Sequence, residues 1–276
     1  MTQFDKQYKQ VLWEVMNKGE EVYSKRQNCY TKALAGVVFN LDEGFPLLTL
    51  RKIPIKLFVA EQIWFLMGER DPDIFLRKFT KIWHDFSEED GKVPTAYGYR
   101  WRKYFGKDQI KALIDLLTKD PSSRHGVVVA WDPGDDIRGL EEKKKNVPCP
   151  YTFTVNIIAN KLHLHLIIRS NDLILGCPHD VAGFALLQRI LAAKLGVRVG
   201  KLTVSISNAH IYDIHYQAAW ELMERENDHC PIMLEGQKDW FEKAEKGDEF
   251  LTQRIIDELE RQYNPMPSIK GLKIVL

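Results

Sequence analysis

Apolar and polar side chains alternate strictly through the middle of the chain. Tyr151, Phe153, Val155 and Ile157 fall on one face of an extended run, and Leu162, Leu164 and Leu166 share a face of the run that follows Asn160. A period of two predicts two strands that each bury one face, and an asparagine between them suits a tight turn. A β-hairpin is therefore expected here. The stretch from Val181 to Leu195 is apolar nearly all round and stops at Gly196, which predicts a buried central helix. Residues 55–67 predict a second, strongly apolar helix. Phe4, Tyr8, Val11, Leu12, Val15 and Met16 recur at helical spacing and predict an amphipathic helix over residues 4–23. Helices are also expected over 108–118 and 216–223. Strand patterns run over Val37 to Leu50, with a turn at Asp42-Glu43-Gly44, over Gly126 to Trp131 and over Thr203 to Ser207. The charged stretch from Asp135 to Asn146 has no apolar period and predicts an exposed loop.

The hairpin places chemistry at its open end. Cys149 precedes the first strand and Arg169-Ser170-Asn171-Asp172 follows the second. The open ends of a hairpin are adjacent, so the thiol and the guanidinium are expected side by side. A neighbouring cation lowers a thiol's pKa, which predicts a partly ionised nucleophile near neutral pH. The start of the central helix, Cys177-Pro178-His179-Asp180, is expected to point back at the same place. Asp180 has two readings: a cap of the helix beginning at Val181, or a carboxylate facing a ligand. Glu61 stands among apolar residues of the 55–67 helix; either it occupies a wet face, or it is buried and must pair or stay protonated. His163 and His165 share a strand face, but without a third ligand at useful spacing they are expected to serve sheet packing or a subunit interface rather than a metal.

Composition adds boundaries. The chain has 276 residues, with 39 Lys and Arg against 38 Asp and Glu, so nothing in its charge points to a nucleic acid or a membrane surface. No repeat or low-complexity block divides it, and residues 1–276 are expected to form a single domain. No apolar run is long enough to span a bilayer, and Met1-Thr2-Gln3-Phe4-Asp5 lacks the apolar region of a signal peptide, so a cytoplasmic location is expected. The four cysteines, Cys29, Cys149, Cys177 and Cys230, have no paired metal spacing and are expected to be free thiols.

The order Pro-Cys149, strand pair, Arg169-Ser-Asn-Asp172, Leu-Gly176-x-Pro-x-Asp180-x-Ala and His210-x-Tyr212 resembles the thymidylate synthase superfamily, and so do Glu61-x-x-Trp-Phe-Leu and Pro94-x-x-Tyr97-Gly. The resemblance runs over roughly residues 5–276. It implies an α+β fold in which helices pack a large mixed β-sheet, with a homodimer formed through the sheet face. It implies a pyrimidine nucleoside monophosphate as substrate and 5,10-methylenetetrahydrofolate as cosubstrate, with no metal. Cys149 would add to C6 of the base, while Glu61, Tyr97 and Asp172 would serve the proton network. Arg26 would hold phosphate, with Arg124 and His125 lent by the partner subunit, and Arg169 would bind the substrate beside the thiol. Ser170, His210 and Tyr212 would bind the nucleotide, the last two through the sugar hydroxyl. Trp83, Phe86, Asp172 and Gly176 would line the folate side.

Several positions depart from the family pattern. His125 stands where a second arginine is usual, Phe86 replaces a tryptophan, Pro150 replaces a histidine and Thr154 a glutamine. Most telling is Asp180, where enzymes acting on dUMP carry asparagine. The asparagine amide donates to uracil O4 and accepts from N3–H, whereas cytosine reverses that pattern. Asp180 can accept from N4–H and, with one shared proton, also satisfy N3. A carboxylate facing uracil O4 would place two acceptors together, at about 1–3 kcal/mol. The expectation is a (d)CMP 5-hydroxymethyltransferase. The alternatives are thymidylate synthase or a dCMP methylase, and, from another class, a nucleotide- or folate-binding protein without catalysis.

Overall fold

The computed structural model describes residues 1–137 and 147–275, apart from the side chain of His84. The first part of the chain forms α1 (Gln3–Lys18), β1 (Glu20–Ser24), β2 (Cys29–Leu41), α2 (Ile55–Met67), the single turn α3 (Tyr97–Tyr99), α4 (Gln109–Lys119), β3 (Val127–Val129) and α5 (Pro133–Asp136). The second part forms β4 (Pro150–Ile158), β5 (Lys161–Ile168), β6 (Asn171–Asp172), α6 (Gly176–Leu195), β7 (Arg198–Tyr212), α7 (Tyr216–Glu224), α8 (Trp240–Ala244) and α9 (Glu249–Gln262).

Among the described residues, seven strands make one mixed sheet in the order β1-β2-β7-β5-β4-β3, with β6 added beside β7. β7 runs parallel to β5 and β6, and the other pairs are antiparallel. The expected hairpin is β4–β5, closed by Ala159 and Asn160, which both have positive φ (50° and 57°), as a two-residue turn between twisted strands requires. One row crosses five strands through Phe39, Val204, Leu166, Phe153 and Val128, and every member is buried. The row beside it, Asn40, Thr203, His165, Thr154 and Val127, faces the other way and is half-buried or exposed. Here His165 Nε2 lies 2.8 Å from Ser205 Oγ, and His163 Nδ1 accepts from the Lys201 backbone N–H (3.1 Å).

α6 packs on the buried face of the sheet and touches α2, α4 and α8 as well, so it has no wet side. Gly196 ends it in the left-handed conformation (φ 69°), where glycine carries no Cβ penalty. The helix begins at Gly176, five residues before the expected Val181, because proline is tolerated in a first turn and Pro178 does not block it.

Other expectations need correction. The helix expected over 4–23 ends at Lys18; the chain turns extended at Gly19, and residues 20–24 pair with β2 instead. The strand expected over Val37 to Leu50 starts earlier, at Cys29, and stops at Leu41, after which Phe45 makes an isolated bridge to Ile232. The strand expected over Gly126 to Trp131 shrinks to β3. Of the loop expected over 135–146, Asp135 and Asp136 belong to α5, where the fully buried Arg100 guanidinium pairs with them at 2.9 and 3.2 Å; residues 138–146 lie outside the described residues. Among the described residues, no helix is long and apolar enough to cross a membrane.

Gly98 seats the α3 turn against α2. A Cβ there would stand 2.0 Å from the Phe65 carbonyl oxygen, closer than any side chain tolerates. Gly98→Ala is expected to destabilise the fold by about 3 kcal/mol through overpacking, read as a lowered urea midpoint. An unchanged midpoint would mean that α3 is not held this tightly.

Candidate active site

A β-bulge explains how Cys149 reaches its neighbours. Pro150 pairs with Ile168 and Thr152 with Ile167, so Tyr151 is an extra residue on β4. A bulge bends its strand and redirects the residues beside it. The Arg169 backbone N–H donates to the Cys149 carbonyl (2.9 Å), closing the open end of the hairpin. The Arg169 guanidinium donates to the carbonyls of Pro148 (2.8 Å) and Val147 (3.0 Å), and its Nη2 lies 3.5 Å from Cys149 Sγ. The expected thiol–guanidinium contact is therefore present. The Trp131 ring lies 5.7 Å from the same guanidinium.

Two further groups approach from the helical layer. The Tyr97 hydroxyl, at the start of α3, accepts from the Cys149 backbone N–H (3.1 Å). Glu61 projects from α2, and its Oε1 accepts from the Trp83 indole N–H (2.6 Å). This glutamate is half-buried against aromatic rings, not on a wet helix face. Phe86 packs against Trp83 with ring centroids 5.5 Å apart and planes tilted by 56°.

β6 and α6 supply the other wall. Asn171 is buried in β6, and its Nδ2 donates to Asp180 Oδ2 (2.7 Å). Because α6 starts at Gly176, Asp180 sits inside the helix, and the capping reading is excluded by position. Asp172 Oδ1 accepts from the backbone N–H groups of Ile174 (2.8 Å) and Leu175 (3.3 Å). In the sheet, Asp172 stands beside His210, whose ring is 5.1 Å from that of Tyr212. A Cβ at Gly176 would lie 3.7 Å from Asn171 Nδ2, with Asp172 Cβ and Asp180 Oδ2 each at 3.9 Å, so this glycine borders both acids.

The electrostatics tie these groups into one cluster. Burial pushes the Glu61 carboxyl up to about 8, against the Trp83 N–H, which lowers it, and with the Asp180 charge adding to the rise. Burial likewise lifts Asp180 to about 7, against the Asn171 bond and helped by Asp172. Burial raises the Cys149 thiol too; Arg169 pulls it down, Asp180 raises it further and Arg26 pulls it down. Burial wins, so the thiolate expected from the Arg169 contact is not the favoured resting form. Tyr97 is pushed well above its ordinary value by burial, with Cys149 and Asp180 adding to the rise. His210 is lowered by burial, which keeps its ring neutral.

Glu61 and Asp180 therefore take up protons on folding. Their folded pKa values lie above the unfolded ones, so the folded chain binds more protons than the unfolded one between about pH 4 and pH 8, and stability falls as pH rises through that window. Asp180→Asn is expected to flatten part of this fall, measured as melting temperature against pH by calorimetry. Parallel curves for the two proteins would contradict it.

Arg26 lies in the turn between β1 and β2, and its charge reaches both Cys149 and Tyr212. Ser170 is half-buried beside Arg169. Arg124 and His125 are exposed ahead of the edge strand β3, and among the described residues neither has a hydrogen bond or ion pair to the cluster of its own chain. The described residues contain no group of three or more His, Cys, Asp or Glu side chains arranged for a metal ion.

Sequence reasoning missed three contributors. Asn171 stood inside a recognised tetrad, but a strand of two residues has no period to expose its burial. Arg51, which is buried and donates to the Ile174 carbonyl, carries no periodic or motif signal in the sequence. His179 was read only as part of the helix entrance; its Nδ1 is buried without a partner, and burial, helped by Arg51, pulls its pKa down to about 3.

A buried thiol beside a fixed arginine and two carboxyls raised toward neutrality occur here in one place, and the charge of Arg26 in a separate hairpin acts on that thiol. Residues 6–274 match the protein-family model described as thymidylate synthase. The chain therefore belongs to the thymidylate synthase family, whose members are folate-dependent one-carbon transferases acting at C5 of pyrimidine nucleotides.

Proposed function

We propose that this chain is a cytidylate 5-hydroxymethyltransferase, converting dCMP or CMP, methylenetetrahydrofolate and water to the 5-hydroxymethyl nucleotide and tetrahydrofolate. The observation that carries this reading is the position of Asp180: inside α6, bonded to Asn171, with a carboxyl that is partly protonated near neutral pH. A carboxyl with one proton matches the edge of cytosine, donating to N3 and accepting from N4–H.

The other residues follow from their places. Cys149 Sγ bonds to C6 of the base, making C5 a carbon nucleophile. Arg169 stabilises the thiolate as it forms and, with Arg26, attracts the phosphate. Glu61 and Tyr97 hold a proton network over the ring, and Glu61, raised to about 8, can both give and take a proton near neutrality. Neutral His210 and Tyr212 bind the sugar, with Ser170 beside them.

The family's cosubstrate is methylenetetrahydrofolate, and the residues present fit it. The Trp83–Phe86 pair offers an aromatic wall, and the Asp172 carboxylate beside Gly176 offers an acceptor for a flat ring with N–H donors. When bound, the folate supplies a one-carbon unit at the oxidation level of formaldehyde.

The outer sheet face through His165 and Thr154 is proposed as a homodimer interface, which would carry Arg124 and His125 to the partner's phosphate site. Four free cysteines suit the reducing cytoplasm.

A second reading, a methylating enzyme acting on dUMP or dCMP, has one observation in its favour. Past α9, the Tyr263 hydroxyl lies within hydrogen-bond distance of the carbonyls of Leu48 (2.7 Å) and Arg51 (3.0 Å), and the Met266 N–H donates to that of Thr49 (2.9 Å). A C-terminal segment held there would keep water from the intermediate. Incubation with methylenetetrahydrofolate and, separately, dCMP, CMP, dUMP and UMP separates the readings by product mass. A gain of CH₂O on a cytidylate with tetrahydrofolate released supports hydroxymethyl transfer; a gain of CH₂ with dihydrofolate overturns it.

A further inference from the structure

Asp180 has a symmetry problem. A neutral carboxyl presents one donor and one acceptor, and its proton can sit on either oxygen. With the proton on one oxygen it matches the N3 and N4–H edge of cytosine. With the proton on the other it matches the O4 and N3–H edge of uracil equally well. A carboxyl alone in this pocket would therefore discriminate poorly between the two bases.

The structure contains something that breaks the symmetry. Asn171 Nδ2 donates to Asp180 Oδ2 at 2.7 Å, and Oδ2 is thereby marked as an acceptor. Asn171 has little freedom to do otherwise. It is 3% exposed, its backbone is paired with Ala209 in the sheet, and Gly176 packs beside its amide. The amide keeps this orientation although its own Oδ1 is buried and has no partner. Turning the amide over would set Oδ1 against Oδ2, which is tolerable only if the carboxyl proton moves between them and is lost to the base.

We propose that Asn171 is a positioning residue for base selection: its bond to Oδ2 confines the carboxyl proton to Oδ1, so that Asp180 reads one base edge and rejects the other. This rests on the reading of Asp180 as the residue that faces the base. For a cytidylate, Oδ2 accepts from N4–H while keeping its bond to Asn171, and Oδ1–H donates to N3. A carbonyl oxygen has two lone pairs, so both bonds to Oδ2 are available at once.

The test compares binding of dCMP and dUMP by titration calorimetry from pH 5.5 to 8.5, in the wild type, Asn171→Ala and the shape-conserving Asn171→Asp. The ratio of the two dissociation constants cancels the shared phosphate and sugar. Both variants are expected to lower the base preference by about tenfold or more, because the marked acceptor is gone. A second readout is the pH at which dCMP binding weakens. The groups facing Asp180 are Glu61 from α2, Tyr97 from α3, Cys149 beside β4, Asp172 from β6 and Cys177 from its own helix, and neither variant removes any of them. Loss of a donor to the carboxyl raises the pH at which its proton leaves, so the midpoint is expected to move up in Asn171→Ala. A purely structural role would weaken both nucleotides alike and leave ratio and midpoint unmoved, and that result overturns the proposal. Asn171→Asp alone decides the ratio if the alanine variant does not fold. Should the wild type prefer dUMP and lose that preference on substitution, Asn171 keeps its role and only the cytosine reading falls.

Discussion

Cys149→Ser is expected to lower turnover by about 10³-fold or more while leaving nucleotide binding within a few-fold of the wild type. The substitution is nearly isosteric, and the Arg169 guanidinium remains anchored by the carbonyls of Val147 and Pro148, so the local backbone has no reason to move. What is lost is the proposed nucleophile. The buried thiol is already raised above its ordinary value, and it ionises only because Arg169 and Arg26 stabilise its anion. A serine hydroxyl in the same place is far weaker as an acid and gains too little from those charges. The measurement is product formation alongside intact mass after incubation with a 5-fluoro pyrimidine nucleotide and methylenetetrahydrofolate; the C5–F bond stops the reaction at a covalent adduct. Wild-type protein gains the mass of that adduct and the variant does not. Turnover within tenfold of the wild type would remove Cys149 from the chemistry. Absence of turnover and adduct in the wild type, with binding intact, would favour a binding protein without catalysis.

Asp180→Ala carries the second large effect. Removing the carboxyl leaves cytosine N3 and N4–H facing a pocket with no partner for either, and kcat/KM for a cytidylate is expected to fall by about 10²-fold. Activity or binding with a uridylate should change far less, so the preference between the bases should approach unity. The pH profile is the independent check. In the wild type, the cytidylate reaction is expected to weaken as pH rises above about 7, where Asp180 loses its proton. The sign follows from the chemistry: N3 needs a donor, and the ionised carboxyl has none. Asp180→Asn has no proton to lose in this range, so that particular fall should vanish from the cytidylate reaction it retains, while its preference shifts toward a uridylate. A wild type whose cytidylate kinetics ignore pH between 6 and 8.5 would mean that Asp180 does not share its proton with the base.

What the sequence disclosed and what it hid divide along physical lines. The β4–β5 hairpin and α6 were legible because each buries apolar side chains with a regular period. Cys149 and Arg169 were legible as neighbours because a hairpin brings its own ends together. Pairings between distant segments left no such mark: nothing local joins β2 to β7, or sets Phe39 in line with Val204 and Leu166. The same holds for β6, where two residues of strand carry Asn171 to Asp180. The start of α6 was displaced because Leu175 provides no capping side chain and Pro178 resembles a stop when it is a tolerated first-turn residue. The thiol's ionisation was misjudged because its charged partner could be read in the sequence while its burial could not. Asp180 shows the opposite case: its identity was plain, and only the helix boundary decided that it could not be a cap.

The pairing of Thr31–Leu41 with Leu202–Tyr212 has a bearing on how the chain is made. A ribosome emits β2 early and β7 late. At about 5–20 residues per second, β2 waits on the order of ten seconds or more for its partner. During that interval, one side of the nascent β1–β2 ribbon offers unpaired backbone and the apolar side chains of Val37, Phe39 and Leu41 to the crowded interior of the cell. The β1–β2 ribbon, which carries Arg26, is thus synthesised long before the strand that covers its open edge, and a two-stranded ribbon alone is marginally stable at best.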